Sequence, residues 1–169
     1  MSIIIRKATV EDACNYAACH IACWRDAYIG MIPDEYLDNL PSEQERRTER
    51  FRQTLYEPNG CQYYCAELDG EMVGMLIFNK SRDEDKPDAG EIYAIYLRGK
   101  LWGKGYGREM MDFALDELNH MGHRETVVWV LEENARARRF YEKCGFHPDG
   151  VSKEIVLGSP LIEVRYVLT

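Results

Sequence analysis

Apolar and polar positions recur along this chain with two periods, and the switches between them mark its elements. Ser2 to Lys7, built on three consecutive isoleucines, reads as a short β-strand. Thr9-Val10-Glu11-Asp12 resembles a helix-capping start, and Ala13 to Ala27 continues as a helix with Ala, Cys, Ile and Trp on its apolar side. Ile29 to Leu40 reads as a loop with a short helical piece near Pro33. Pro41 followed by Ser42-Glu43-Gln44-Glu45 gives a second capping signature, predicting a charged helix to about Tyr56 that Pro58-Asn59-Gly60 ends.

Gln62 to Leu68 and Glu71 to Phe78 read as strands joined by Asp69-Gly70, the strongest hairpin signal in the chain. Ser81 to Gly90 is polar, contains Pro87 and is predicted as a surface loop. Glu91 to Leu97 reads as a strand rich in Ile and Tyr. After a Gly-rich turn, Gly107 to Met121 places Met110, Met111, Ala114, Leu115 and Leu118 at helical spacing. Glu125 to Leu131 is predicted as a strand, Ala135 to Cys144 as a helix, and Val151 to Leu157 and Leu161 to Leu168 as two closing strands. This order predicts a mixed α/β (α+β) sheet with helices on both faces.

A length of 169 residues fits one domain, 1–169, with its own core. The hydrophobic fraction of 46% and charged fraction of 30% are ordinary for a soluble globular protein. Acidic residues outnumber basic ones, 29 to 21, for a net charge of -8. Such a surface repels phosphate backbones and anionic bilayers, so neither a nucleic acid nor a membrane is expected as partner. The opening residues are too short an apolar run for a signal peptide, and no uncharged run spans a bilayer, which predicts a cytoplasmic protein. Six cysteines, at positions 14, 19, 23, 61, 65 and 144, form no C-x-x-C pair. Cys19 and Cys23 beside His20 suggest a metal site, but the spacing fits structural thiols on a buried helix face better, so no metal is expected.

The stretch from Leu97 to Arg108, LRGKLWGKGYGR, joins a strand to a helix. Its glycines let the backbone approach a ligand, and free N–H groups at the helix N-terminus favour a phosphate. Arg98, Lys100, Lys104 and Arg108 add local positive charge. A tight turn with solvated charges would look the same. The spacing fits neither a Walker loop nor a G-x-G-x-x-G dinucleotide fingerprint: one residue is missing between Gly99 and Gly103 for the first, and the turn is G-x-G-x-G for the second.

Farther along stands Asn134-Ala135-Arg136-Ala137-Arg138-Arg139-Phe140-Tyr141-Glu142-Lys143-Cys144-Gly145-Phe146. Taken together, the two segments resemble the GNAT acetyltransferase superfamily. Gly105-Tyr106-Gly107 falls on its [QR]-x-x-G-x-[GA] turn, with Trp102 in place of Gln or Arg, and the later run fits N-x-x-A-x-x-F-Y-x-x-x-G-F throughout. The resemblance covers essentially the whole chain, since the element order also agrees.

This resemblance implies the GNAT acyl-CoA N-acyltransferase fold, with a central, mostly antiparallel sheet. It implies acetyl-CoA as co-substrate and transfer of the acetyl group directly to a primary amine of a small molecule or peptide, in a ternary complex. A protein N-terminal or lysine acetyltransferase and a non-catalytic acyl-CoA-binding module are the alternatives. The coenzyme would lie along Tyr96 and Leu97, whose backbone would pair with it like an added strand. Its phosphates would meet the turn of Trp102, Gly103, Lys104, Gly105, Tyr106, Gly107 and Arg108, with Asn134, Arg136 and Arg139 completing the cradle. A strand N–H would polarise the thioester carbonyl.

An alkyl amine with a pKa near 10 is only about 0.1% neutral at pH 7, so a group must accept its proton during attack. By the family match Glu91 is the general base, direct or through water, with Glu132 and Glu133 as fallbacks and an ordinary strand-end carboxylate as the alternative. Tyr141 would be the acid that protonates the departing thiolate. Trp24, Tyr28 and Tyr93, together with Asp26, Tyr36 and the 158–160 loop, would supply an acceptor pocket suited to a cation, or ordinary packing. Family habit makes a homodimer a candidate assembly.

Overall fold

A computed structural model describes residues 2–169. The chain runs β1 (Ile4–Lys7), α1 (Ala13–Ala27), α2 (Asp34–Asn39), α3 (Gln44–Tyr56), β2 (Gln62–Leu68), β3 (Glu71–Lys80), β4 (Gly90–Leu97), α4 (Tyr106–His120), β5 (Thr126–Leu131), α5 (Ala135–Lys143), β6 (His147–Val156) and β7 (Pro160–Leu168). The seven strands form one sheet in the order β1-β2-β3-β4-β5-β7-β6. Every neighbouring pair is antiparallel except β4 and β5. Those two run parallel because α4 carries the chain back across one face between them. The arrangement is the mixed, mostly antiparallel sheet that the sequence predicts.

Alternation along the strands sends residues to two cores. Met110, Met111, Ala114 and Leu118 of α4, with Tyr141 of α5, pack on Phe78, Ile92, Val128 and Tyr166. On the opposite face Ala13, Tyr16 and Ala17 of α1 and Phe51 of α3 cover Cys65 and Met75. Tyr16 is fully buried, and its hydroxyl donates to the Leu76 carbonyl at 3.2 Å, so its polar end is satisfied. The thiols of Cys19 and Cys23 lie 3.9 Å apart inside α1, whereas His20 turns toward Arg47 at 3.1 Å.

Local chemistry explains most element ends. The Asp12 carboxylate accepts from the Thr9 N–H at 2.8 Å and opens α1 through a 3-10 turn. Asp69 and Gly70 hold φ of 53° and 80°, the left-handed pair that a two-residue hairpin needs.

Three expectations about the elements change. Ser42 does not cap the charged helix: its hydroxyl donates back to the Asn39 carbonyl at 2.6 Å, and α3 grows from the 3-10 turn Leu40–Glu43. β6 begins at His147 rather than Val151. Nearly all of it is exposed at the sheet edge, so no alternation marks its start, and Pro148 and Gly150 sit at a bulge. The loop after β3 is not a plain surface loop, because Ser81 and Ala89 are buried and Arg82, itself exposed, pairs with the buried Glu91. Among the described residues, no helix is long and apolar enough to cross a membrane.

Candidate active site between the splayed strands

The site begins where the sheet fails to close. β4 pairs with β5 only from Gly90 to Ile92 against Thr126 to Val128. Beyond these, Tyr93 to Leu97 and Trp129 to Leu131 part, leaving one edge of each strand unpaired. A bulge marks the point of separation: Ile77 pairs with Ala94 and Phe78 with Ile92, so Tyr93 is one residue too many. The gap opens into a cavity of about 510 Å³ bordered by both strand segments, α5, the Gly-rich turn and the loop before β4.

One end of this cavity suits an anion. Gly105, at φ 93°, caps α4, and Gly103 holds φ 75°, so the chain swings into the helix with the N–H groups of Arg108 and Glu109 donating to the Gly105 carbonyl and those of Tyr106 and Gly107 unengaged among the described residues. Of the basic residues predicted here, Arg98 is committed elsewhere, with Nε 2.7 Å from Asp26 Oδ2. Arg108 pairs with Asp112 at 2.8 Å yet still borders the cavity. Among the described residues Arg136 and Arg139 form no ion pair, and both border it. Arg136 stacks 3.5 Å from the Trp102 ring centre, while Trp102 Nε1 donates to the Leu97 carbonyl at 2.8 Å. The residue that departs from the family turn thus serves as a platform for an arginine.

Asn134 caps α5, its Oδ1 accepting from the Ala137 N–H at 3.1 Å, which leaves its Nδ2 to donate elsewhere. Arg138 ties the helix to β7 through the Tyr166 hydroxyl at 3.0 Å, and Tyr166 donates to Glu142 at 2.8 Å. These bonds fix the helix that carries Tyr141. The Tyr141 ring is buried among Phe140, Phe146 and Tyr166 at the cavity wall. Burial pushes its phenol well above the usual range, so it stands protonated at neutral pH.

Glu91 lies on the cavity's other side and is 1% exposed. Arg82 clasps it, Nη2 reaching Oε1 at 2.6 Å while the backbone N–H reaches Oε2 at 2.9 Å. The same guanidinium lies 3.9 Å over the Tyr93 ring. Next to this pair, buried Arg165 binds Asp85 at 2.7 Å, Asp149 at 2.8 Å and Asp83 at 3.1 Å. Asp83 also accepts from Trp129 Nε1 at 3.1 Å, locking the loop onto the sheet.

Most of the predicted residues converge on this one cavity: Glu91, Tyr93, Tyr96, Leu97, Trp102, Gly103, Gly105, Gly107, Arg108, Asn134, Arg136, Arg139, Tyr141 and Tyr28 all border it. Lys104, Tyr106 and Trp24 stand outside its wall. Lys104 is exposed and Tyr106, half-buried, packs against the core. Trp24 sits behind Tyr28, ring centres 5.1 Å apart, in a cluster where the Tyr28 and Tyr96 hydroxyls meet at 3.1 Å. The fallback bases Glu132 and Glu133 border a separate, smaller cavity. Sequence reading missed Arg82, Trp129, Lys153 and Glu163. Period-two alternation through Glu163 and Arg165 in β7 was a usable signal, but nothing in the polar loop marked Arg82.

Known proteins share the sequence pattern and the fold of this chain. Residues 24–146 match the acetyltransferase (GNAT) family. A Mycobacterium tuberculosis protein named "Probable N-acetyltransferase" is 32% identical over 149 residues, 88% of this chain and 82% of its own length. A Bacillus subtilis protein named an uncharacterized N-acetyltransferase is 28% identical over 90% of this chain and 83% of its own. The PaiA N-acetyltransferase of Thermoplasma acidophilum, solved in complex with coenzyme A, has the same fold: TM-score 0.76, 21% identity, covering 97% of this chain and 98% of that one.

Proposed function

This chain belongs to the GNAT acetyltransferase family and is an N-acetyltransferase, and from that premise we propose that it transfers an acetyl group from acetyl-CoA directly to a primary amine of a small molecule or peptide. The observation that carries the reading is the gap between β4 and β5, with Glu91 and Tyr141 on its wall and a phosphate-suited turn at one end. Residues 1–169 act as one catalytic domain. The cysteines are all free, which suits a reducing compartment, and we place the enzyme in the cytosol.

The residues present fit the coenzyme. The unpaired edge from Tyr93 to Leu97 offers backbone groups to the amides of its pantetheine arm. Asn134 adds a side-chain donor, and the first turn of α4 with Arg108, Arg136 and Arg139 neutralises its phosphates. When bound, acetyl-CoA supplies the acetyl group as an activated thioester.

The chain's own groups then manage two protons and one developing charge. Glu91 accepts the amine's proton through a water, since Arg82 already occupies much of its hydrogen-bonding capacity. A backbone N–H at the β4 bulge stabilises the carbonyl oxygen as negative charge gathers on it. Tyr141 gives its phenolic proton to the departing sulfur.

The test joins a melting curve to a turnover assay. Coenzyme A at about 100 times its Kd is expected to stabilise the fold by about 2.7 kcal/mol, raising Tm by several degrees. Acetyl-CoA with a panel of amines is expected to release free thiol only when an acceptor is present. No thermal shift with coenzyme A would overturn the reading. A shift without turnover on any amine would leave a binding module instead, and turnover confined to protein N-termini or lysines would change the acceptor class.

A further inference from the structure

One carboxylate at the cavity wall takes no part in the steps above. Glu163 lies in β7 opposite Leu131 of β5 and Lys153 of β6, on the face that also carries Trp129 and Arg165. It borders the cavity with Tyr28, Glu91 and Tyr93.

Its neighbours are already provided for. Glu91 is clasped by Arg82, and Asp83, Asp85 and Asp149 all converge on Arg165. Glu163 has Lys153 as its one cation within 4.0 Å among the described residues, with Nζ at 3.6 Å from Oε2. That is too long for a charge-assisted hydrogen bond, which a half-buried carboxylate would gain from. Lys153 is also drawn elsewhere, its Nζ standing 3.9 Å from the centre of the Trp129 ring. Burial lifts the Glu163 carboxyl above the usual carboxylate range, and the Glu91 charge adds to this, against the pull of Lys153 and Arg82. A partly desolvated carboxylate without a close donor of its own gains from an arriving cation.

We propose that Glu163 receives a positively charged nitrogen of the acceptor and so makes the enzyme selective for amines that are cationic at neutral pH. Lys153 holds the carboxylate while the acceptor is absent, and the Trp129 ring keeps that lysine once the ligand takes its place. Tyr93 and Tyr28 supply aromatic surface on either side of the cation's path. The inference rests on the acetyl-transfer reading above and adds the class of acceptor to it.

The test compares two kinds of acceptor at saturating acetyl-CoA: alkyl mono- and diamines, charged at pH 7, and a neutral arylamine. In Glu163→Gln the KM of charged amines is expected to rise about tenfold or more, the loss of one charged hydrogen bond. Its kcat should stay within about threefold, and the KM values for the arylamine and acetyl-CoA should not move. Lys153→Gln removes the resident competitor, so it should lower the KM of charged amines. A rise common to both acceptor classes, or no rise in either, would overturn the proposal. If Glu163→Gln does not fold, Lys153→Gln decides, and an unchanged or higher KM for charged amines would overturn it. A wild type that acetylates no amine sinks the parent reading and this one with it. A wild type that acetylates amines while the variants' KM values stand still sinks only the role of Glu163.

Discussion

Arg82 and Glu91 meet across the root of the cavity, with Nη2 of the arginine 2.6 Å from Oε1 of the carboxylate. The side chains differ in exposure, 61% for Arg82 and 2% for Glu91. An arginine from an irregular loop therefore neutralises a charge that β4 carries into the protein. Without it Glu91 would be a buried charge with no cation beside it.

Arg82→Ala is accordingly expected to cost about 1–2 kcal/mol. This is less than a fully buried pair would cost, because water can reach the space the exposed guanidinium leaves. The variant should melt roughly 3–6 °C lower. Adding Glu91→Gln should restore much of that loss, because it removes the stranded charge. A double-mutant cycle by chemical denaturation checks the coupling, and strictly additive losses would refute it.

Tyr141 makes no hydrogen bond through its hydroxyl to another described residue, although its ring is buried. Tyr141→Phe should therefore leave stability nearly unchanged while lowering kcat about 100-fold or more, the usual worth of a positioned acid. The KM for acetyl-CoA should move little. Steady-state kinetics beside a melting curve separate the two effects, and a kcat close to wild type would remove Tyr141 from the acid role.

Gly74 lies in β3 under the segment of β4 that borders the gap. A Cβ there would sit 2.5 Å from the Tyr96 carbonyl oxygen, a backbone atom that cannot swing aside. Gly74→Ala should destabilise by about 1–3 kcal/mol through this overlap. It should also raise the KM for acetyl-CoA, because Tyr96 and Leu97 form the edge that the coenzyme would follow. An alanine variant with wild-type melting and KM would show that β4 yields freely.

His20 gives the pH dependence. Burial, together with the positive charges of Arg47 and Arg50, lowers its pKa from 6.5 to about 3. A depressed folded-state pKa means that the unfolded chain binds the proton first. Stability is thus full above pH 6.5 and drains as pH falls toward 3, by roughly 2–4 kcal/mol at the bottom of that window. Asp12, lowered from 3.8 to about 2 beside Arg6, adds a loss only below 3.8. Denaturation at pH 7, 5 and 4 should show the decline between 7 and 4, and His20→Gln should flatten it. A decline of the same slope in that variant would assign it to other groups.

Strand and helix order was legible in the chain because each element buries one face, and burial writes a period of two or near four into the residues. Gly103, Gly105 and Asn134 were legible for a related reason, since caps and left-handed turns accept few residue types. The start of β6 left no such mark, because an exposed edge strand has no face to bury. Other features come from neither periodicity nor local conformation. The parting of β4 from β5 after Ile92 depends on where two strands, separated by a helix, stop pairing. Arg82 reaching Glu91, and Lys153 standing between Glu163 and Trp129, join loops and strands whose side chains meet only after the sheet has assembled. Local sequence determined the Gly-rich turn and the Asn134 cap of the proposed coenzyme cradle, because their parts are backbone geometry. The charge arrangement at the cavity wall was decided by tertiary structure, because partners for buried charges are chosen by proximity in space.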